Sequence, residues 1–315
     1  MPAQLLLAFD DQLAAAQRLA DALGLPLALV QRHRFPDGEL KLTLPFGADS
    51  ASRPDTLVCY RSLAHPNEKL VELMLVASQA RAWGVSRILL VAPYLAYMRQ
   101  DMSFHPGEVV SQRLIGQALA QWFDGVLTVD PHLHRVATLQ EAVPTTWTCT
   151  VSAAPALARH IAAQVADPVL IGPDVESQQW VQQAAELISA PSGVCHKERL
   201  GDREVRIALP DLPVQGRAVV LLDDMASSGR TLAVAAAQLL AQGAASVDVA
   251  VTHALFADDA VAVVRAAGVR HIWSADSVTH DSNAVPLADV LANAARRFLR
   301  PCDPPGGAGT ATPAA

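Results

Sequence analysis

The sequence predicts an α/β protein built from mainly parallel sheets flanked by helices. Short apolar segments alternate with longer segments of helical periodicity along the whole chain, which is the pattern of βα units. Of the 315 residues 51% are hydrophobic but only 5% are aromatic, so Ala, Val and Leu must build the interior. This length is sufficient for two domains with sizeable cores.

Eight apolar segments have the length and composition of buried strands. They are Leu5–Phe9, Thr56–Tyr60, Arg87–Ala92, Gly125–Val129, Val169–Ile171, Ala218–Leu222, Ser246–Val251 and His271–Ser274. Between the second and third, apolar residues recur on one face of a crossover helix that begins at Pro66. The same periodicity predicts further helices at Asp11–Leu23, Ser111–Trp122, Ser152–Ala166, Ser177–Ser189, Thr231–Ala241 and Asp258–Ala267.

The uncharged stretch Ala142–Pro155 indicates a boundary between two halves of comparable size. In each half a buried strand runs into a polar loop and then into a helix, so the halves are similar in outline. We therefore predict an N-terminal domain of residues 1–147 and a C-terminal domain of residues 148–300. Residues 301–315 consist mainly of Pro, Gly, Ala and Thr, which predicts a disordered tail.

Charge and composition exclude several classes of partner. The formal net charge is −7 and the sequence has no dense basic run, so a nucleic-acid partner is not expected. No apolar segment approaches the length of about 20 residues that spans a membrane. The N-terminus lacks the basic region of a signal peptide, and the four cysteines lack CxxC spacing, which is typical of reduced thiols. The expected location is the cytoplasm.

The strongest candidate site follows the strand that ends at Leu222. Asp223 and Asp224 come first, and a hydroxyl- and glycine-rich turn then enters a helix. Backbone N–H groups and hydroxyls at such a helix start can hold a phosphate; the residues concerned are Ser227, Ser228, Gly229, Arg230 and Thr231. The carboxylates would repel that phosphate, so they suit the vicinal hydroxyls of a sugar, directly or through a metal. A helix N-cap with solvated acids is the alternative.

This Asp-Asp-Met-x-x-x-Gly-x-Thr loop resembles the ribose-5-phosphate loop of phosphoribosyltransferases and ribose-phosphate pyrophosphokinases. Further segments resemble pyrophosphokinase motifs in the family's order: Phe35–Glu39, Asn67–Leu75, Pro93–Asp101, Asp130–His132 and Gly172–Asp174. The resemblance covers about residues 5 to 290. It implies two similar domains of the type I phosphoribosyltransferase fold. It also implies transfer of the β,γ-diphosphoryl group of MgATP to the 1-hydroxyl of ribose 5-phosphate, which yields phosphoribosyl pyrophosphate and AMP.

The resemblance assigns the nucleotide site mainly to the first half. Phe35, Asp37 and Glu39 would reach the adenine of a neighbouring subunit, which implies at least a dimer; on its own this segment predicts a hairpin. The triphosphate would lie against Arg99, Gln100 and Asp101, for which a surface salt bridge is the alternative. The expected cofactor is Mg²⁺, and the residues implied to contact the magnesium–nucleotide are His132 and Asp174.

The segment from Cys195 to Val205 predicts a hairpin with its turn at Gly201-Asp202. In an extended arm Lys197 and Arg199 would point to the same side. Composition alone favours a solvated charged hairpin. The family, however, has Lys-x-Arg in its mobile catalytic loop at this place, which implies that these two cations close over the phosphates during transfer.

Several residues depart from the commoner family pattern. Met102 and Ser103 stand where many members carry basic residues, Glu176-Ser177 replaces a glycine pair, and Ser227 replaces a third aspartate. His105–Glu108 is similar to the corresponding segment of a less common, archaeal branch.

Two rival hypotheses remain: a catalytically silent regulatory subunit, or a phosphoribosyltransferase that consumes phosphoribosyl pyrophosphate. P-loop and dinucleotide-binding functions lack their GxxxxGK[ST] and GxGxxG motifs.

Overall fold

A computed structural model describes residues 3–49, 51–133, 135–199 and 205–300, with the backbone alone at 197–199 and 205–207. The predicted tail at 301–315 and the predicted turn at Gly201-Asp202 lie outside the described residues.

The first half carries one parallel sheet and a projecting hairpin. Its strands are β1 (Gln4–Ala8), β2 (Leu27–Leu29), β3 (Gln31–Arg34), β4 (Leu40–Thr43), β5 (Thr56–Tyr60), β6 (Arg87–Ala92), β7 (Gly125–Val129) and β8 (Trp147–Val151). Strands β3 and β4 pair antiparallel, and the other six form a parallel sheet in the order β2-β1-β5-β6-β7-β8. The helices are α1 (Leu13–Leu23), α2 (Pro66–Ala82), α3 (Ser111–Trp122) and α4 (Leu139–Ala142).

The second half repeats this arrangement. Its strands are β9 (Val169–Gly172), β10 (Ser192–Val194), β11 (His196–Arg199), β12 (Val205–Ala208), β13 (Ala218–Ala226), β14 (Ser246–Ala254), β15 (Val269–Ala275) and β16 (Asn283–Val285). The parallel sheet has the order β10-β9-β13-β14-β15-β16, and β11 and β12 form an antiparallel hairpin. The helices are α5 (Ala154–Gln164), α6 (Gln178–Ile188), α7 (Arg230–Ala241), α8 (Ala260–Ala266) and α9 (Ala288–Leu299).

All eight predicted strands are present, and the predicted helix Ser111–Trp122 has the observed bounds. The elements that the sequence did not predict include the short strands β2, β8, β10 and β16 at the sheet edges and the helices α4 and α9. The predicted division after residue 147 falls inside β8, which pairs with β7 from Trp147 to Val151. The division at this residue stays a prediction.

Each sheet is apolar on both faces, as parallel sheets covered by helices require. Alternate residues of a strand contribute to different cores: Leu6 of β1 and Val220 of β13 belong to one cluster shared by the two halves. Their neighbours Leu5 and Val219 belong to separate clusters, one in each half. The shared cluster includes residues of α1, α5, α6 and α9 and lies between the halves.

Helix α9 belongs to the second half in sequence but packs on the first half. It contacts α1, β7 and β8, and the ring of Phe298 lies 5.4 Å from that of Trp147. Gln4 Nε2 donates a hydrogen bond to the carbonyl oxygen of Leu299 at 3.0 Å. The chain therefore crosses back over the junction of the halves, and the two sheets are held in one arrangement.

Helix α3 packs closely against α4, and this approach depends on Gly116. A Cβ atom at Gly116 would lie 1.7 Å from the carbonyl oxygen of Ala142, which is backbone and cannot rotate away. We expect Gly116→Ala to lower the free energy of unfolding by about 1–3 kcal/mol, as overpacking typically does. Denaturant unfolding measures this change. Gly47→Ala is the matched control, because its Cβ meets no heavy atom within 4 Å; equal stability of the two variants would contradict the packing argument.

Candidate active site between the two sheets

The carboxyl ends of the two sheets meet around a cavity of about 220 Å³. In open α/β sheets ligands bind beyond this edge. Loops after β6 and β7 supply Arg99 and His132 from the first half, and the loop after β9 supplies Asp174. The remaining predicted residues in the wall come from β13 and the start of α7: Asp223, Asp224, Ser227, Ser228, Gly229 and Thr231.

Strand β13 extends to Ala226, so the prediction that it ends at Leu222 was wrong. The added segment of β13, from Asp223 to Ala226, pairs with the last residues of β14, up to Ala254. Both carboxylates therefore belong to a hydrogen-bonded strand rather than to a loop. Backbone bonds from Phe256 and Ala257 to Ala226 and Ser227 brace the turn that follows, at 2.9 and 3.0 Å.

The turn enters α7 through Gly229, whose φ of +67° lies in the left-handed region that favours glycine. A Cβ atom at Gly229 would lie 2.7 Å from Val264 Cγ2. No described side chain caps the amino end of α7. The 12-residue helix thus presents backbone N–H groups at the cavity, together with the hydroxyls of Ser227, Ser228 and Thr231. An anion is stabilised at such a helix end.

Four carboxylate side chains line the same cavity, those of Asp174, Glu176, Asp223 and Asp224. Asp224 is 5% exposed, and its Oδ2 atom lies 3.0 Å from His132 Nδ1. The backbone N–H of Asp224 donates to Asp223 Oδ1 at 3.0 Å. Burial raises the pKa of Asp223 well above its usual range, and the negative charges of Asp224 and Asp174 add to this effect. This side of the cavity therefore favours a cation or hydroxyl donors.

The predicted triphosphate loop reaches the cavity through one residue. Arg99 is exposed and its guanidinium contacts Met225 across the cavity. Gln100 and Asp101 do not line the cavity: Gln100 Nε2 donates to the carbonyl oxygen of Met102 at 3.0 Å, and Asp101 Oδ1 accepts from Arg135 Nη1 at 2.7 Å. These two side chains hold the loop itself.

The Phe35–Glu39 segment is the turn of the β3–β4 hairpin. The N–H of Phe35 donates to the carbonyl oxygen of Glu39 at 2.9 Å, and the Phe35 side chain is 40% exposed. Within one chain neither Phe35, Asp37 nor Glu39 lines the 220 Å³ cavity. The hairpin instead borders a separate cavity of about 510 Å³ along α2.

Lys197 and Arg199 lie in β11. The backbone of β11 pairs with β12 at Lys197–Ile207 and Arg199–Val205, which confirms the predicted antiparallel hairpin. Strand β11 begins two residues after β10, at the carboxyl end of an edge strand of the second sheet.

A larger cavity of about 950 Å³ also opens between the halves, and the sequence did not predict it. Its walls include Lys69, Tyr94, Tyr97 and Phe256. Lys69 Nζ donates to the carbonyl oxygen of Ser62 at 2.9 Å, and burial lowers the pKa of Lys69 to about 8. Two segments that resemble family motifs, Asn67–Leu75 and Pro93–Asp101, contribute residues to this cavity.

The described residues contain neither a ready metal cluster nor a membrane-spanning helix. Across the described ranges, no three His, Cys, Asp or Glu side chains converge as a ready metal cluster. Of the helices in that same part of the chain, none is long and apolar enough to cross a membrane.

The fold and the site define a protein with a phosphoribosyltransferase-type domain: residues 151–283 match the family model of the phosphoribosyl transferase domain. Residues 5–122 match the model of the N-terminal domain of ribose phosphate pyrophosphokinase. The chain is 35% identical over 294 residues to a ribose-phosphate pyrophosphokinase of Methanopyrus kandleri, covering 92% of this chain and 98% of the relative. The chain belongs to the ribose-phosphate pyrophosphokinase family.

Two further comparisons agree. A ribose-phosphate pyrophosphokinase of Halobacterium salinarum is 32% identical over 293 residues, covering 92% of this chain and all of the relative. The crystal structure of phosphoribosylpyrophosphate synthetase from Mycobacterium smegmatis superposes with a TM-score of 0.78 over 94% of this chain and 98% of that chain. At 24% identity this last match establishes a common fold. The predicted fold class and family are confirmed.

The crowded carboxylates predict a stability effect in the absence of divalent cations. A folded-state pKa raised above the unfolded value adds stability at low pH, and this stability is lost as the pH rises. We therefore expect Asp223→Asn to raise the melting temperature at pH 7, by about 2–4 °C for each kcal/mol of burial cost and repulsion removed. The gain shrinks as the pH falls toward about 4, where the wild-type carboxyl is also neutral.

Thermal unfolding of the metal-free protein between pH 4 and pH 8 measures this difference. The matched control is Asp211→Asn, because Asp211 is exposed and lies outside the cavity. A melting temperature for Asp223→Asn equal to or below that of the wild type at pH 7 would show that ionised Asp223 is not destabilised by burial and by its neighbouring carboxylates.

Proposed function

We propose that this protein is a ribose-phosphate diphosphokinase, which transfers the β,γ-diphosphoryl group of MgATP to the 1-hydroxyl of ribose 5-phosphate. One observation carries the proposal: the phosphate-type turn of the second half and the cation Arg99 of the first half line one cavity. Membership of the ribose-phosphate pyrophosphokinase family supports it. The products are phosphoribosyl pyrophosphate and AMP.

Ribose 5-phosphate would bind entirely to the second half. The turn Ser227–Thr231, which includes Ser228, Gly229 and Arg230, would hold the 5-phosphate through backbone N–H groups and hydroxyls. Asp223 and Asp224 would accept hydrogen bonds from the sugar hydroxyls at the other end of the molecule. This assignment is electrostatically complementary. The phosphate anion lies at the positive helix start, and the neutral hydroxyls donate to the carboxylates.

The nucleotide would lie across both halves. Arg99 would pair with phosphate oxygens, for which a planar guanidinium is well suited. Gln100 and Asp101 also belong to the proposed ATP site; Asp101 would act by holding the Arg99 loop through its ion pair with Arg135.

Mg²⁺ fits the donor set of the cavity. His132 and Asp174 would hold the magnesium–nucleotide, next to the carboxylates of Asp223 and Asp224. Magnesium prefers oxygen ligands and is commonly bound through a few carboxylates and substrate phosphates, so a complete protein cluster is not required. When bound, the metal neutralises charge on the transferred phosphates.

The chemistry needs no protein nucleophile. The 1-hydroxyl oxygen attacks the β-phosphorus and releases its proton to solvent, the bond from that phosphorus to the α,β-bridging oxygen breaks, and AMP leaves with that oxygen. Lys197 and Arg199 would stabilise the charge that develops on the phosphoryl oxygens. The other residues orient the two substrates, which by itself supplies a large part of such rate enhancements.

The adenine contacts would come from a second copy of the chain. Phe35, Asp37 and Glu39 lie on an exposed hairpin turn and do not line the cavity of their own chain. We therefore propose at least a homodimer, in which each hairpin completes its neighbour's site.

A cytoplasmic location is supported by the free thiols of Cys59, Cys149 and Cys195.

The central test is an assay of the purified protein with ribose 5-phosphate, magnesium and ATP. We expect AMP and phosphoribosyl pyrophosphate in equal amounts, and no AMP when ribose 5-phosphate is omitted. Nucleotide binding without turnover of any purine triphosphate would favour the silent regulatory subunit. Consumption of phosphoribosyl pyrophosphate with a free base would favour the phosphoribosyltransferase.

Loss of a transition-state cation should affect turnover. We expect Lys197→Ala and Arg199→Ala each to lower kcat by about a hundredfold or more. The affinity for ribose 5-phosphate should stay within about twofold of the wild-type value, since the turn at α7 is unchanged. Glu198→Gln, at the position between them in β11, is the matched control. A near-normal kcat in both alanine variants would remove these residues from the mechanism.

A further inference from the structure

Asp130 ends β7 next to the cavity, but its carboxylate does not belong to the substrate site. It is 6% exposed, and its φ of +36° turns the chain at the strand end. Oδ1 accepts a hydrogen bond from Trp180 Nε1 at 2.8 Å. Oδ2 accepts from the backbone N–H of Ala153 at 2.8 Å and from Thr252 Oγ1 at 3.0 Å. One side chain of the first sheet thus bonds to α6, to the residue before α5 and to β14.

The donors explain why this residue is an aspartate. The indole N–H of Trp180 and the backbone N–H of Ala153 can only donate, and they bond to different oxygens. A carboxylate accepts both bonds. An asparagine of the same shape would place its NH₂ group against one of these two N–H donors and leave that donor without an acceptor, which is costly at a buried position.

The neighbouring backbone makes a second connection across the junction. His253 is 2% exposed and follows Thr252 on β14. Its Nε2 atom lies 3.1 Å from the carbonyl oxygen of Val129 and 3.3 Å from that of Asp130. Both the side chain and the backbone at the end of β7 are therefore bonded to β14.

This connection lies beside the cavity. Two residues after Asp130, His132 meets Asp224 of β13 at 3.0 Å. The pairs Asp223–Val251 and Met225–His253 place Asp224 and Thr252 at the same level of two adjacent strands. The segment from Asp130 to His132 thus contacts neighbouring strands of the second sheet at two points, one buried and one at the cavity wall.

We propose that Asp130 is a positioning residue, which holds the nucleotide side of the site in register with the ribose-phosphate side. The inference rests on the proposed function, because it assigns the nucleotide to both halves and ribose 5-phosphate to the second half alone. Loss of the hydrogen bonds of the Asp130 carboxylate should then weaken the binding of MgATP. The binding of ribose 5-phosphate should be unchanged, because its site is built on β13 and α7.

The test is Asp130→Asn. We expect the KM for MgATP to rise about tenfold or more, which corresponds to about 1.4 kcal/mol. The Kd for ribose 5-phosphate, measured by calorimetry without nucleotide, should stay within about twofold of the wild-type value. A merely structural role predicts a different result: a larger unfolded fraction lowers the apparent kcat but leaves both constants unchanged. The matched control is Asp124→Asn, whose carboxylate bonds to Ile88 and Arg81 within the first half.

A second substitution provides a rescue. Adding Trp180→Phe to Asp130→Asn removes one obligatory donor, so the amide oxygen can turn to the N–H of Ala153. We expect the KM for MgATP of the double variant to fall at least halfway back from the value of Asp130→Asn to the wild-type value. If Asp130→Asn does not fold, Trp180→Phe alone should raise the KM for MgATP by about two- to fivefold.

Three results would overturn the inference: an unchanged KM for MgATP in Asp130→Asn and in Trp180→Phe, a parallel loss of affinity for both substrates, or no recovery in the double variant. A wild-type protein without diphosphokinase activity would contradict the proposed function instead. In that case calorimetric binding of MgATP replaces KM and still decides whether Asp130 positions the nucleotide side.

Discussion

The buried junction between the two sheets is the constraint on which the rest of the molecule depends. Neither half completes the site alone, because Arg99 and His132 come from loops of the first sheet and the turn and carboxylates come from the second. The shared hydrophobic cluster supplies most of the contact, but apolar packing is not directional. Directional bonds are needed to set the register, and Asp130, His253 and the pair formed by Ser62 and Ser277 provide them.

The electrostatics of the cavity depend on where its charged groups lie and not on the net charge of the chain. The chain carries a formal charge of −7, and the proposed substrates are both anions. The helix start at α7 and the guanidinium of Arg99 both supply local positive potential to a small cavity. The raised pKa of Asp223 reports the opposite condition, since burial disfavours its ionised form and the negative charges of Asp224 and Asp174 repel it. Binding of a cation or hydroxyl donors would relieve this repulsion, which couples occupancy to stability.

Most of the fold could be predicted from the sequence because its central strands are long apolar runs separated by helical periodicity. The edge strands β2, β8, β10 and β16 escaped prediction, since β2, β10 and β16 have only three residues and β8 alternates threonines with apolar residues. Helix α9 also escaped, although Leu291, Ala295 and Phe298 recur at helical spacing. Strand β13 continues to Ala226 because β14 pairs with it there, and pairing with a distant strand leaves no local signal.

The candidate site, like the fold, could be predicted from the sequence only in part. The sequence by itself determined the family, the motif from Asp223 to Thr231 and the chemical type of each candidate group, because these depend on residue identity and short spacing. Only the tertiary structure decided which of them share a cavity: Arg99 and His132 do, whereas Gln100 and Asp101 hold their own loop and Phe35 lies apart. It also decided the place of Asp130, whose three bonding partners lie 23, 50 and 122 residues away in the sequence. Such contacts depend on how two sheets pack together, and no local pattern of residues encodes that packing.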